Sequence, residues 1–203
     1  RVAMPSDPQQ AYSLLLAAIA CYDPTFVIAH RSYYHTLSGE VALDGTIEPI
    51  GGARLLRTGD QATIVALGPM VQVAQEAAEA LAGEGIEVDL IDPRWIAPFD
   101  TATVLASVEK TGRLVIAHQA NVSGGFGAEI AARVAKDGFW FLEAPIERVG
   151  VPDSRIPAAP LPSPGGRFNS AFPLWDSTQR ILVSWSQCRL LDTTAAIVPC
   201  TED

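Results

Sequence analysis

Three glycines within four residues, Gly124, Gly125 and Gly127, follow the apolar run that ends at His118 in RLVIAHQANVSGGFGAEIAARVA. At a strand-to-helix junction such residues leave backbone amides free to face an anion. The pattern stops short of both nucleotide loops: the dinucleotide fingerprint needs a third glycine where Ile130 stands, and the triphosphate loop needs a lysine that is not there. The same glycines also let a helix pack close to a sheet or to a neighbouring subunit, which is the plainer expectation. Glu129, in the first turn, suits the helix dipole without any catalytic role. His118, at the end of its strand, is the best single acid/base candidate, although a lone histidine there serves structure more often. His30 and His35 flank RSYY, where Arg31 can pair a carboxylate or phosphate, and an exposed polar edge explains them equally. In IDPRWIAPFD, Asp92 and Arg94 can form a local ion pair and Asp100 stands where a helix cap belongs. Neither a GxSxG elbow nor an HExxH zinc motif occurs.

The composition limits the partners. Of the 203 residues 48% are hydrophobic and 18% charged, as in a packed globular protein. The net charge of -9, with no segregated basic patch, argues against nucleic acid. Cys21, Cys188 and Cys200 form no CxxC pair and no dense disulfide framework, which fits a reducing, cytoplasmic setting. No apolar run reaches membrane-spanning length, so no membrane partner is expected. The opening RVAMPSDPQQ lacks the order of a signal peptide and reads as cut from something longer.

The elements that must position these residues alternate. An extended RVAMP precedes a helix that Ser6 or Asp7 caps, with Pro8 in its first turn and Leu14, Leu15, Ala18 and Ile19 at helical spacing. TFVIAH then reads as a buried strand. Residues 35–60 carry little periodicity and read as linker. Beyond them QATIVALG, IEVDLID, RLVIAHQ and FWFLEA read as strands. The helices between them are MVQVAQEAAEALAGEG, TATVLASVEKTG and GAEIAARVAKDG, the second capped by Asp100, buried through Val104, Leu105 and Val108, and ended by Gly112. This alternation predicts an α/β, doubly wound, mainly parallel sheet with helices on both faces. A proline-rich surface segment follows, and DSTQRILVSWSQCRLL is expected to form a last helix, capped by Asp176 or Ser177, with Ile181, Leu182, Trp185 and Leu190 inward.

With these blocks in order, the chain resembles the beta subunit of the thiamine-diphosphate-dependent 2-oxo acid dehydrogenases of the pyruvate and branched-chain type. The stretches that carry the resemblance are VAMPSDPQQAYSLLLAAI, EPIGGARLLRTGDQATIVALGPMV, VDLIDPRWIAPFDTATVLASVEKTGRLVIAHQA, GGFGAEIAARV and FLEAPIERVGVPDSRIP, covering roughly residues 2–157. The HQA and GGF wording is closer to the branched-chain type. The resemblance implies the end of a pyrimidine-binding domain over residues 1–36, a linker over 37–50 and a transketolase C-terminal-like domain over 51–157. Residues 158–203 are then a proline-rich segment and a divergent tail. It further implies an alpha subunit and a second beta subunit as partners, a lipoyl-bearing acyltransferase as acyl acceptor, and thiamine diphosphate bound by parts outside these residues. In that family the glutamate that activates the cofactor and a histidine near the lipoyl approach lie upstream of the matching region, so the chain alone is expected to be inactive. Its expected work is assembly and docking, with Gly124, Gly125, Phe126 and Gly127 at the interface.

The resemblance also implies a structural potassium site at Ala18, Ile19, Cys21 and Asp23, where Cys21 replaces an aspartate and ligates a hard cation poorly. Ala29 stands where a glutamate is usual, and the residues after Pro157 leave the family pattern. The alternative from another class is a free-standing α/β module that holds a small anion or phosphate at the helix start from Gly124 to Gly127.

Overall fold

The computed structural model describes residues 1–31 and 33–152, together with the backbone of residues 168–173, 181–185, 189–191 and 197–199. Within the second stretch the side chain of His35 lies outside the described residues. The chain forms two compact units, residues 1–153 and residues 154–203.

The first unit opens with β1 (Val2–Ala3), α1 (Pro8–Ala20), β2 (Phe26–Val27) and a short α2 (Tyr33–Thr36). The Asp7 carboxylate accepts the Gln10 amide at 2.7 Å and Pro8 occupies the first turn, so α1 starts where its sequence predicts. Its buried face is Gln10, Ser13, Leu14 and Ala17, whereas Leu15 and Ile19 point to solvent. The expected apolar stripe is therefore corrected. Gln10 turns inward because its amide nitrogen donates to the buried Asp92 carboxylate at 2.9 Å, beside the Ser6 hydroxyl at 2.5 Å. The expected buried strand TFVIAH is two residues long, and Phe26 is exposed at the edge of its sheet.

Next come β3 (Arg54–Arg57), β4 (Ala62–Ala66), α3 (Met70–Gly83), β5 (Val88–Asp92), β6 (Trp95–Ala97), α4 (Thr101–Thr111), β7 (Leu114–Asn121), α5 (Phe126–Asp137), a 3-10 turn (Phe139–Phe141) and β8 (Glu147–Val151). The main sheet has the order β3-β5-β4-β7-β8, with β5, β4, β7 and β8 parallel and β3 antiparallel at the edge. Strand alternation sends Ile64, Ala66, Val88, Leu90 and Ala117 toward α3. It sends Val65, Leu67, Ile91, Leu114 and Ile116 toward α4 and α5, giving one core on each face. The doubly wound fold expected from the sequence is the fold observed.

Two sequence expectations change here, and one strand is new. FWFLEA is not the fourth parallel strand: Phe139–Phe141 is a 3-10 turn, and the strand is Glu147–Val151. Residues 54–57 of the expected linker are the antiparallel edge strand, hidden from a periodicity search by its two flanking arginines. Trp95–Ala97, three residues between two prolines, pairs antiparallel with β1, which itself runs parallel to β2. This small sheet buries Trp95 with Ala3, Leu14 and Ala17 and fastens the amino-terminal elements to the larger domain.

The second unit contains two antiparallel pairs, β9 (Phe168–Pro173) with β10 (Ile181–Trp185) and β11 (Arg189–Leu191) with β12 (Ile197–Pro199). The helix expected over residues 176–191 is thus extended at 181–185 and 189–191, in keeping with the β-branched and aromatic content of ILVSW. The proline-rich stretch 158–167 lies outside the described residues.

Candidate functional site

The end of β7 and the start of α5 bring His118 and the glycines together. The His118 ring is 4% exposed, and neither Nδ1 nor Nε2 has a hydrogen-bond partner. The space around it exists because glycines surround it. A Cβ on Gly127 would collide with Nε2, one on Gly125 would stand 2.6 Å from Cε1, and one on Gly150 of β8 would stand 3.4 Å from the same atom. Gly124 turns the chain with a φ of +76°. The turn is tied to β8 by Arg148, whose Nη1 donates to the Val122 carbonyl at 2.8 Å, and by the Val122 amide, which donates to the Val151 carbonyl at 2.9 Å. Burial, and next the positive charge of Arg148, hold His118 below its ordinary value, so the ring is neutral at pH 7.

This arrangement defines what the glycine cluster does inside the chain. Gly127 is buried against His118 and Ile116, Phe126 is half-buried edge-to-face on Phe99 at 5.6 Å, and Gly124 is exposed. The ring fills the space beside Gly125 and Gly127, and Glu129 adds a negative charge in the first turn of α5, paired with Arg133 at 2.8 Å. The other sequence candidates serve structure. Asp100 caps α4 by accepting the Thr103 amide at 3.0 Å and also takes the Ala53 amide at 3.0 Å. Asp92 is fully buried, and burial pushes its carboxyl up against the pull of Ser6, Gln10 and Arg94. Arg94 does not pair with Asp92 through its guanidinium; it reaches the Gly52 carbonyl at 3.0 Å and Glu48 at 2.8 Å. His30 lies edge-on to Tyr33 at 5.9 Å.

Neither implied group finds a fitting set of residues. Ala18 and Ile19 close α1, where carbonyls lack intrahelical donors, but the Cys21 thiol accepts the Asp23 amide at 3.3 Å and the Asp23 carboxylate is held by Arg1 at 2.6 Å. A thiol and an already paired carboxylate suit potassium poorly. Thiamine diphosphate needs a diphosphate cradle with a metal at its side. Among the described residues no group of three His, Cys, Asp or Glu converges to hold such a metal.

The feature that sequence reasoning missed lies on the outer side of α5. With Gly127, Ile130 and Val134 turned to the sheet, Ala128, Ala131, Ala132 and Ala135 line an open groove of about 890 Å³ together with Phe139 and Trp140. Trp140 is 90% and Phe139 59% exposed, their rings edge-to-face at 5.1 Å. The alanine spacing was readable in the sequence, but taking FWF as a strand put both aromatic rings in the wrong place. No helix among the described residues is long and apolar enough to cross a membrane.

Comparisons with known proteins agree with this architecture. Residues 51–163 match the family "Transketolase, C-terminal domain". The chain is 40% identical over 161 residues to the beta subunit of an acetoin:2,6-dichlorophenolindophenol oxidoreductase from Bacillus subtilis, covering 79% of this chain and 47% of that one. It is 43% identical over 163 residues to the beta subunit of the pyruvate dehydrogenase E1 component from Leifsonia xyli, covering 80% and 48%. Among solved structures, a split gene transketolase described as an inactive beta4 tetramer superposes with a TM-score of 0.64 at 30% identity, covering 75% of this chain and 48% of that one. The chain spans about half the length of the curated relatives it matches.

Proposed function

Because the chain belongs to the transketolase C-terminal domain family, we propose that it is the carboxy-terminal part of the beta subunit of a 2-oxo acid dehydrogenase and supplies assembly surface, not reacting groups. In the complete enzyme a 2-oxo acid of the pyruvate or branched-chain type is decarboxylated on thiamine diphosphate, and the acyl group passes to lipoamide on a cytoplasmic acyltransferase. Residues 1–36 are the end of a pyrimidine-binding domain, and residues 37–50 lead into the assembly domain. The cofactor is held mainly by other parts of the beta subunit and by an alpha subunit. The identity of 43% to a pyruvate dehydrogenase E1 beta subunit supports the enzyme class.

The observation that carries the assembly role is the apolar groove beside α5. An alanine-lined trough with Trp140 almost fully exposed at its rim is a surface that water covers badly and a second protein covers well. We assign it to a second copy of this chain, in line with a solved relative whose beta chains associate as a tetramer. Multi-angle light scattering of the full chain, over a concentration series and with an alpha subunit of a 2-oxo acid dehydrogenase added, tests this. A mass that is a multiple of the monomer, and that changes further with the alpha subunit, is the expected result. A strict monomer throughout, indifferent to the alpha subunit, overturns the assignment.

A further inference from the structure

We propose that the turn after β7 is an acid-released latch: a neutral His118 ring, sealed beneath Gly125 and Gly127, holds the start of α5 against the sheet, and proton uptake drives the ring out and frees the turn. The proposal does not depend on the assembly reading. It begins from the two orphan ring nitrogens. A neutral imidazole carries one donor and one acceptor, whereas an imidazolium carries two donors and a charge. In the closed turn neither nitrogen meets a partner, and the ring is almost wholly removed from water. Protonation in place would bury an unpaired cation, the least tolerable group for a protein interior.

The surroundings give that charge nothing to lean on. From β8 the ring meets Gly150, and Arg148, two residues away on the same side of that strand, acts on it as a like charge. On α5 the carboxylate of the first turn, Glu129, is committed to Arg133 at 2.8 Å. On β7 itself the neighbour in the same layer is Ile116. The glycines leave the imidazolium no slack, because the ring already fills the space that their missing side chains provide. Release has a short route: the turn is tied to β8 by the Arg148 bond to the Val122 carbonyl and by the Val122 amide bond to the Val151 carbonyl.

The sign of the pH effect follows. The closed ring titrates below its ordinary value, while the opened ring, back in water, titrates near the usual 6.5. The open state therefore takes the proton first. The latch is at full strength above about pH 6.5 and weakens as the pH falls toward the closed ring's own value, opening about tenfold more for each pH unit.

Amide hydrogen exchange on the full chain between pH 7.5 and 5, corrected for intrinsic rates, reads this directly. Protection of the amides from Val122 to Ala128 should fall about tenfold per unit below about pH 6.5, while amides of α3 hold theirs. In His118→Leu the fall should vanish. A flat profile in the unaltered chain, or the same fall in His118→Leu, overturns the proposal. Should His118→Leu not fold, ring-proton titration by NMR in the unaltered chain decides: a closed-state His118 signal that titrates at or above 6.5 also overturns it.

Discussion

Asp89→Ala should lower the unfolding free energy by about 3 kcal/mol. Asp89 is 2% exposed at the start of β5. Its Oδ2 accepts the Ser107 hydroxyl at 2.6 Å, and its Oδ1 accepts both the Lys110 ammonium at 2.7 Å and the Gly59 amide at 2.9 Å. Because a carboxylate can only accept, the Ser107 hydrogen is fixed on Asp89. Thr63, 2.6 Å from Ser107, must then donate to it, and Thr111, 2.7 Å from Thr63, can donate in turn. The row of hydroxyls thus points toward one buried charge and links β4, β5 and α4. Removing the carboxylate strips the Gly59 amide of its acceptor and makes the hydroxyl row reverse, with Ser107 turning its hydrogen to Thr63. Lys110 contributes less, since its side chain is partly in solvent and can turn to water, so Lys110→Met should stay below about 1 kcal/mol.

The pH dependence supplies a second check on the same residue. Burial alone would raise Asp89, but hydrogen bonds from Lys110, Ser107 and the Gly59 amide, with the charge of Lys110, hold it below the ordinary carboxylate value. A carboxyl depressed in the folded state stabilises the fold at pH above its unfolded value of 3.8, and that stabilisation is lost as pH falls through the lower folded value. Urea denaturation followed by the fluorescence of buried Trp95 should show a loss near 3 kcal/mol at pH 7 for Asp89→Ala that shrinks in acid. A loss under 1 kcal/mol at pH 7 would mean that the hydroxyl row does not act as described.

Trp140→Glu should weaken self-association by about 100-fold while leaving the fold intact. Large exposed aromatic rings next to a trough are where binding energy concentrates, and a carboxylate at the rim must be desolvated against alanines that offer no partner. Because Trp140 is 90% exposed in the single chain, its replacement should move the unfolding free energy by no more than about 0.5 kcal/mol. Sedimentation velocity across a dilution series measures the shift. An unchanged association constant would place the contact on another face, whereas a large drop in unfolding stability would make the ring part of the fold.

The layered sheet was legible because its strands are buried on both faces and so read as largely apolar runs, ATIVA and LVIA among them, between helices bounded by Asp100, Gly112 and Gly83. Edge elements were not. β3 is bracketed by Arg54 and Arg57, and β6 gains its strand character from pairing with β1, ninety-odd residues away, which no local window detects. The inward face of α1 was misread because polarity there is dictated by Asp92, a partner supplied by a distant strand. At the candidate site the residues His118, Gly125 and Gly127 were visible as types. Their mutual contact was not, because it depends on how far β7 runs past His118 before the chain turns. Arg148 reaches the site because Glu147–Val151, and not the aromatic run before it, is the last parallel strand.

The claim on which the whole account rests is that these residues provide a surface and leave the chemistry to other chains. Release of carbon dioxide from pyruvate and from a branched 2-oxo acid, by the purified full chain given thiamine diphosphate and magnesium, addresses it most directly. No release above the cofactor-only background is expected, and sustained turnover by the chain alone would overturn the assignment of these residues to a surface role.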